Sequence, residues 1–190
     1  MEIVVFDLES SGTNRSPNQE VIIAISAIRM TVGHLDTMQR FDALAPFKGR
    51  LPSWLKPAGL VDAARTEALI RFSCFVGDAW LVAEQGPSDK MPFIHEECLR
   101  SRLPTREVRV LDTGDFARKL WDDVCLGSLH GLASRLGLLE ENKFCEVDQK
   151  VKLLTEVVHH MWQKLSPDFE VCPVGSCTGF LPACCGSVGR

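Results

Sequence analysis

Tyrosine is absent from this 190-residue sequence, and histidine occurs only five times. A phenol is therefore unavailable as a catalytic acid or base, and imidazole is scarce. No segment approaches the roughly 18–20 consecutive apolar residues of a membrane span. Glu2 and Asp7 interrupt the apolar run at the N-terminus and no basic segment precedes it, so a secretory leader is not expected. The net charge of −4 gives no global positive field; a nucleic-acid partner would have to be held by a local patch or by metal. Without secretion, the expectation is a cytoplasmic protein with reduced thiols. Of the eight cysteines, Cys74, Cys98, Cys125 and Cys145 lie in core-like segments and read as small hydrophobes. Cys172, Cys177, Cys184 and Cys185 crowd the C-terminal tail. They could ligate zinc, but paired Cys-x2-Cys spacing is lacking, and an irregular thiol-bearing tail is the expectation.

What is present suffices for one sizeable core: 190 residues, 45% of them hydrophobic and 24% charged, as in an ordinary globular domain. Ile3-Val4-Val5-Phe6 reads as a strand buried on both faces. It runs into Asp7 and Glu9, which the two-residue period of a strand sends to the same side. Like charges so close repel, and a shared divalent cation with hard oxygen ligands would relieve them. Solvation at an exposed strand end would do so too, and Asp-x-Glu alone does not choose. Ser10-Ser11-Gly12 turns the chain away.

Val21–Ile28 reads as a second buried strand and Asp36–Ala45 as a third, at an edge. With no helix between them, the first three strands should form an antiparallel meander. Prolines and glycines break the chain from Pro46 to about Val61. A helix capped by Thr66 then runs to Val76, followed by a strand at Trp80–Ala83. A helix from Ser88 or Asp89 to Arg102 carries Pro92 in its first turn. Arg106–Leu111 reads as a fifth strand and second edge, and helices follow at 113–121, 126–136 and 145–165. The expected architecture is an α/β sandwich around a mixed sheet, with a domain at 1–165 and an irregular Pro/Gly-containing tail at 166–190.

On this frame Asp89, after the fourth strand, and Asp148, in the first turn of the last helix, are acids placed to converge on Asp7 and Glu9. Either one alone reads equally well as a carboxylate at a helix N-terminus. As a set, the motifs resemble the DnaQ-like (DEDD) 3′–5′ exonucleases. Phe6-Asp7-Leu8-Glu9-Ser10-Ser11-Gly12 is similar to that family's Asp-Leu-Glu-Thr-Thr-Gly motif. Leu81-Val82-Ala83-Glu84-Gln85-Gly86-Pro87-Ser88-Asp89 is similar to its Leu-Val-Ala-His-Asn-x-x-Phe-Asp. Leu111-Asp112-Thr113 and the segment Ser128-Leu129-His130-Gly131-Leu132-Ala133-Ser134-Arg135-Leu136-Gly137 follow in the family's order.

The resemblance implies a ribonuclease H-like fold with a five-stranded mixed sheet and helices on both faces. It implies Asp7, Glu9, Asp89 and Asp148 as catalytic ligands of two divalent cations, Mg²⁺ or Mn²⁺. The partner implied is the 3′ end of a single-stranded nucleic acid, with Ser11, Gly12, Glu84 and Gln85 as candidate contacts. Arg100, Arg102, Arg106 and Arg109 make a basic cluster that could track a strand, or else a solvated face.

The sequence departs from the family where the base should be. The usual histidine, five residues before the last aspartate, corresponds to Lys143, and the tyrosine of a second branch to Phe144. A lysine with an ordinary pKa of about 10.4 is a poor base but a good phosphate contact. His159 and His160 lie ~16 Å along the last helix from Asp148 at 1.5 Å per residue, too far to substitute. Two functions are therefore expected to compete: a slow metal-dependent exonuclease, and a catalytically impaired exonuclease-fold module that binds nucleic acid or a protein partner.

Overall fold

The first strand, β1 (Glu2–Ser10), lies at the heart of the sheet. Ile3, Val4, Val5 and Phe6 have no solvent exposure, as β-branched and aromatic residues in a strand covered on both faces should. The protein is described by a computed structural model over residues 1–12, 16–44, 63–121, 128–138, 147–164 and 176–183. β1 pairs antiparallel with β2 (Ile22–Thr31), and β2 with β3 (His34–Leu44), giving the expected meander. On its other side β1 pairs parallel with β4 (Trp80–Ala83), and β4 parallel with β5 (Thr105–Asp112).

Among the described residues the sheet has six strands, not five, in the order β3-β2-β1-β4-β5-β6. The sixth, β6 (Ser176–Pro182), comes from the segment whose prolines and glycines suggest an irregular tail. It runs antiparallel along β5 from Thr105 to Leu111, so β5 is internal and the edges are β3 and β6. Gly179 is what lets the strand dock: a Cβ there would stand 2.6 Å from Met91 Cε and 2.8 Å from Val110 Cγ2. Pro182, whose missing N–H would break a central ladder, sits at the strand's end on an edge. Cys172, Cys184 and Cys185, and with them the zinc question, lie outside the described residues.

Two cores flank the sheet. Val4, Phe6 and Leu8 face α1 (Ala63–Val76) and α2 (Met91–Arg100), where Phe72 packs 5.5 Å from Phe6 and 5.7 Å from Phe41 between ring centroids. Full burial of such a side chain contributes about 1.5–3 kcal/mol. Ile3 and Val5 face the other way, against α4 (Leu129–Leu136) and α5 (Val147–Gln163), with Ala117 of α3 (Thr113–Leu120) alongside. Asp7 and Glu9 continue the Ile3–Val5 row and so belong to the α5 side.

Local expectations are corrected in three places. α1 begins at Ala63, before Thr66, whose hydroxyl donates to Ser101 Oγ at 3.0 Å instead of capping the helix. Cys98 is buried, and burial pushes its thiol up to about 12, but Cys74 is exposed. The arginines do not form one strand-tracking patch. Arg100 donates to the backbone carbonyls of Pro17 and Glu20 and pairs with buried Glu97. Arg106 reaches the Gly77 carbonyl at the end of α1, and Arg109 lies over the Trp80 ring, 5.0 Å from its centroid.

Between β4 and α2 the chain makes a turn of π-helix, Gly86–Lys90, entered through Gln85 in the left-handed region at φ 51°. Asp112, at the end of β5, holds the turn by accepting from Gly86 N at 3.1 Å, and it caps α3 through Gly114 N and Asp115 N. Glu84 caps a different helix: its Oε1 accepts from Leu129 N at 2.7 Å, at the start of α4.

Two stability outcomes follow. Gly179→Ala should cost about 1–3 kcal/mol in urea unfolding, the range for overpacking, because the β-branched Val110 cannot yield easily. Glu84→Ala should cost about 0.5–2 kcal/mol as a lost helix cap, with Glu84→Gln, which keeps an acceptor oxygen, recovering most of it.

Candidate active site

Parallel pairing brings the C-terminal ends of β1 and β4 together, and with them the first and third of the predicted acids. Asp7 Oδ1 lies 2.8 Å from Lys90 Nζ, and Asp89 Oδ2 lies 3.4 Å from the same nitrogen. All three side chains are largely enclosed, at 13, 16 and 15% exposure for Asp7, Asp89 and Lys90. Asp7 Oδ1 also accepts from Leu8 N at 2.9 Å. Burial alone would lower the Lys90 pKa; the charges of Asp7 and then Asp89 outweigh it and hold the pKa above its ordinary value. The ammonium is fully charged.

The remaining two acids are also met by side-chain cations. Glu9 lies 3.8 Å from Lys150, in the first turns of α5, with both side chains more than a third exposed. Such a pair is worth little. Asp148 Oδ2 is 3.2 Å from Arg40 of β3 and 3.5 Å from Lys152 one turn along α5. Slight burial would raise the Asp148 pKa, but the Arg40 hydrogen bond and the Lys152 charge hold it below its ordinary value. Arg40 is shared with Asp42, whose Oδ1 accepts from buried Ser26 Oγ at 2.7 Å. Ser26 is the register partner of both Asp7 and Asp42, so a row of polar side chains crosses the sheet from β1 to β3 beneath the start of α5.

The four predicted acids thus stand in two sub-sites, Asp7 with Asp89 around Lys90, and Glu9 and Asp148 around the start of α5. Their oxygens are of the hard kind that Mg²⁺ or Mn²⁺ takes. Among the described residues, however, no three His, Cys, Asp or Glu side chains are gathered as a metal would need. Four carboxylates face four side-chain cations: Lys90, Lys150, Arg40 and Lys152.

Lys143 and Phe144, the positions of the missing base, lie outside the described residues. His159 is buried in α5 and its Nε2 lies 2.9 Å from Gln163 Nε2, which makes it part of the helix packing. The candidate nucleic-acid contacts are engaged in shaping the rim. Ser11 exchanges two hydrogen bonds with Val21, through its N–H and through its hydroxyl. Gly12 is pressed against Glu20, where a Cβ would meet Oε1 at 2.6 Å. Glu84 is committed to α4, and the Gln85 carbonyl accepts from Asp89 N at 2.8 Å.

Sequence reasoning missed Lys90, Lys150, Arg40 and Asp42. A signal for Lys90 existed. It directly follows Asp89 and ends the π-turn that runs into α2, so an acid and a cation are neighbours there in the sequence.

No protein-family model matches the sequence. The chain is 28% identical over 177 residues to a DNA polymerase III of the PolC type from Clostridium perfringens, covering 90% of this chain but only 12% of the polymerase. It superimposes on the nuclease domain of 3′hExo, described as a DEDDh family member bound to rAMP, with a TM-score of 0.62 at 14% identity. That match covers 85% of this chain and 92% of the other. A full-length 3′-exonuclease gives a TM-score of 0.63 at 13% identity, covering 96% and 97% of the two chains. No helix among the described residues is long and apolar enough to cross a membrane. The chain has the ribonuclease H-like fold of the DnaQ-like exonucleases, the family that its motifs resemble.

Proposed function

We propose that the protein is a slow, metal-dependent 3′–5′ exonuclease acting on single-stranded nucleic-acid ends. The observation that carries this reading is the meeting of Asp7 and Asp89, 82 positions apart in the sequence, on one ammonium at the C-terminal ends of two parallel strands. That is where open α/β sheets bind ligands. The likeness to 3′hExo, whose structure holds rAMP, and to a 3′-exonuclease that recognises the 3′ end of a histone mRNA stem-loop, supports a 3′-terminal nucleotide as the substrate.

In this reading Asp7, Glu9, Asp89 and Asp148 hold Mg²⁺ or Mn²⁺. When bound, the ions acidify a water and stabilise the leaving oxygen of a phosphodiester. The chain's own part is to position. Asp112 and Gly86 fix the turn that presents Asp89, and Ser26 and Asp42 fix Arg40 across from Asp148. With a lysine where the family has its base, hydrolysis lacks general-base assistance, typically worth 10²–10⁴-fold. The rate is low for that reason.

A second reading, a module that binds nucleic acid or a protein without cutting, is favoured by one observation. Every one of the four acids is already paired with a cationic side chain.

The deciding assay uses 3′- and 5′-labelled single-stranded DNA and RNA with Mn²⁺ or Mg²⁺. Stepwise shortening from the 3′ end, lost in Asp7→Asn and on chelation, is the expected result; binding without shortening at any metal concentration selects the module. Lys143→His should raise the rate by about 10²-fold, the low end of general-base assistance. It should also introduce a pH dependence near 6.5, rising as the imidazole becomes neutral. A rate and pH profile equal to the parent's would count against a missing base as the cause of slowness.

A further inference from the structure

Lys90 is a charged group in an unfavourable place. It is the last residue of the π-turn, immediately before α2, and its side chain is only 15% exposed. Removing an ammonium this far from water is costly unless opposite charges meet it. Two do: Asp7 at 2.8 Å and Asp89 at 3.4 Å. Asp7 comes from β1 and Asp89 from the π-turn, whose extra residue is set by Gln85 in the left-handed region and by the Met91 N–H bond to the Gly86 carbonyl. A change of register in that turn would rotate Lys90 to another side of the helix start, since successive residues differ by about 100°. The turn is therefore part of the device that presents Asp89 and Lys90 together.

We propose that Lys90 is a built-in counter-cation that occupies the space between Asp7 and Asp89, so that a divalent ion binds there only when the ammonium withdraws. The identity of the competing ion rests on the exonuclease reading above; the competition does not require hydrolysis. Lys90 and the metal exclude each other because both need the same two carboxylates. Apparent metal affinity is then the intrinsic affinity multiplied by the fraction of molecules with Lys90 withdrawn. A chain with that state about one-tenth populated binds its ion about tenfold more weakly than its carboxylates allow. The side chain gives the protein a stable metal-free form, which two bare acids at this place would not.

The test measures Mn²⁺ binding to the full chain by calorimetry, without nucleic acid, for the wild type, Lys90→Met and Lys90→Gln. Both variants are used because the apolar one places two unneutralised carboxylates against a methionine and is the more prone to misfold. The expected result is a dissociation constant lower by about tenfold or more in the variants. Their metal-free melting temperature should be lower than the wild type's, with the loss reversed by Mn²⁺. Adding Asp7→Asn to either variant should abolish the gain in affinity. Unchanged or weaker Mn²⁺ binding in both variants overturns the proposal, as does a gain that survives Asp7→Asn. If the variants bind Mn²⁺ more tightly yet cut neither DNA nor RNA, the exonuclease reading fails alone and the competition stands.

Discussion

Everything at the C-terminal end of β1 answers one electrostatic problem. A strand buried on both faces ends in two carboxylates on the same side, and the fold brings two more to that end of the sheet. In the low-dielectric surroundings of Asp7 and Asp89, unpaired charge is expensive. The chain resolves this with its own cations, and the quality of each solution varies with depth. Lys90 is enclosed, close to its partners and shared between two acids. The Glu9–Lys150 pair is long and wet, and contributes little to holding either group. Asp148 sits between these extremes, tied through Arg40 to Asp42 and Ser26 on neighbouring strands.

This grading separates two properties that the carboxylates alone would confound. Four acids in the order of the resembled family would suit a metal site, and each of the four also meets a lysine or an arginine. A site built only to hold metal has no use for an enclosed ammonium. A site built only as a scaffold has no need of four carboxylates at one sheet end. In the PolC-type relative the similar stretch makes up only 12% of a far longer chain.

Much of the frame was legible in the sequence because hydrophobic period and chain order carry it. β4 falls where Trp80-Leu81-Val82-Ala83 predicts, and α3, β1 and β2 differ from expectation only at their ends. β6 was not legible. Its residues read as breakers locally, and only the close approach of Met91 and Val110 makes Gly179 an asset. The acids were singled out because motif spacing marks them, and Asp7 and Asp89 meet at Lys90. Their partners were missed because cation pairing is a long-range property: Arg40 meets Asp148 across 108 positions, and no local pattern announces it. Lys90 was the exception, adjacent to Asp89 in the sequence. Glu84 shows the opposite failure, an acid near the motif whose chemistry is spent on the N-terminus of α4.

The place of β6 bears on how the molecule is made. β5 is complete once residue 112 has left the ribosome, but the strand that covers its outer edge ends at residue 182. About seventy residues of synthesis, at roughly 5–20 residues per second, separate the two. For those seconds the nascent chain carries an open β-edge beside the apolar surface that Leu181 later covers, the kind of surface that recruits other strands. Glu107 and Arg109, exposed on β5, are charges of the kind that keep an open edge from mispairing.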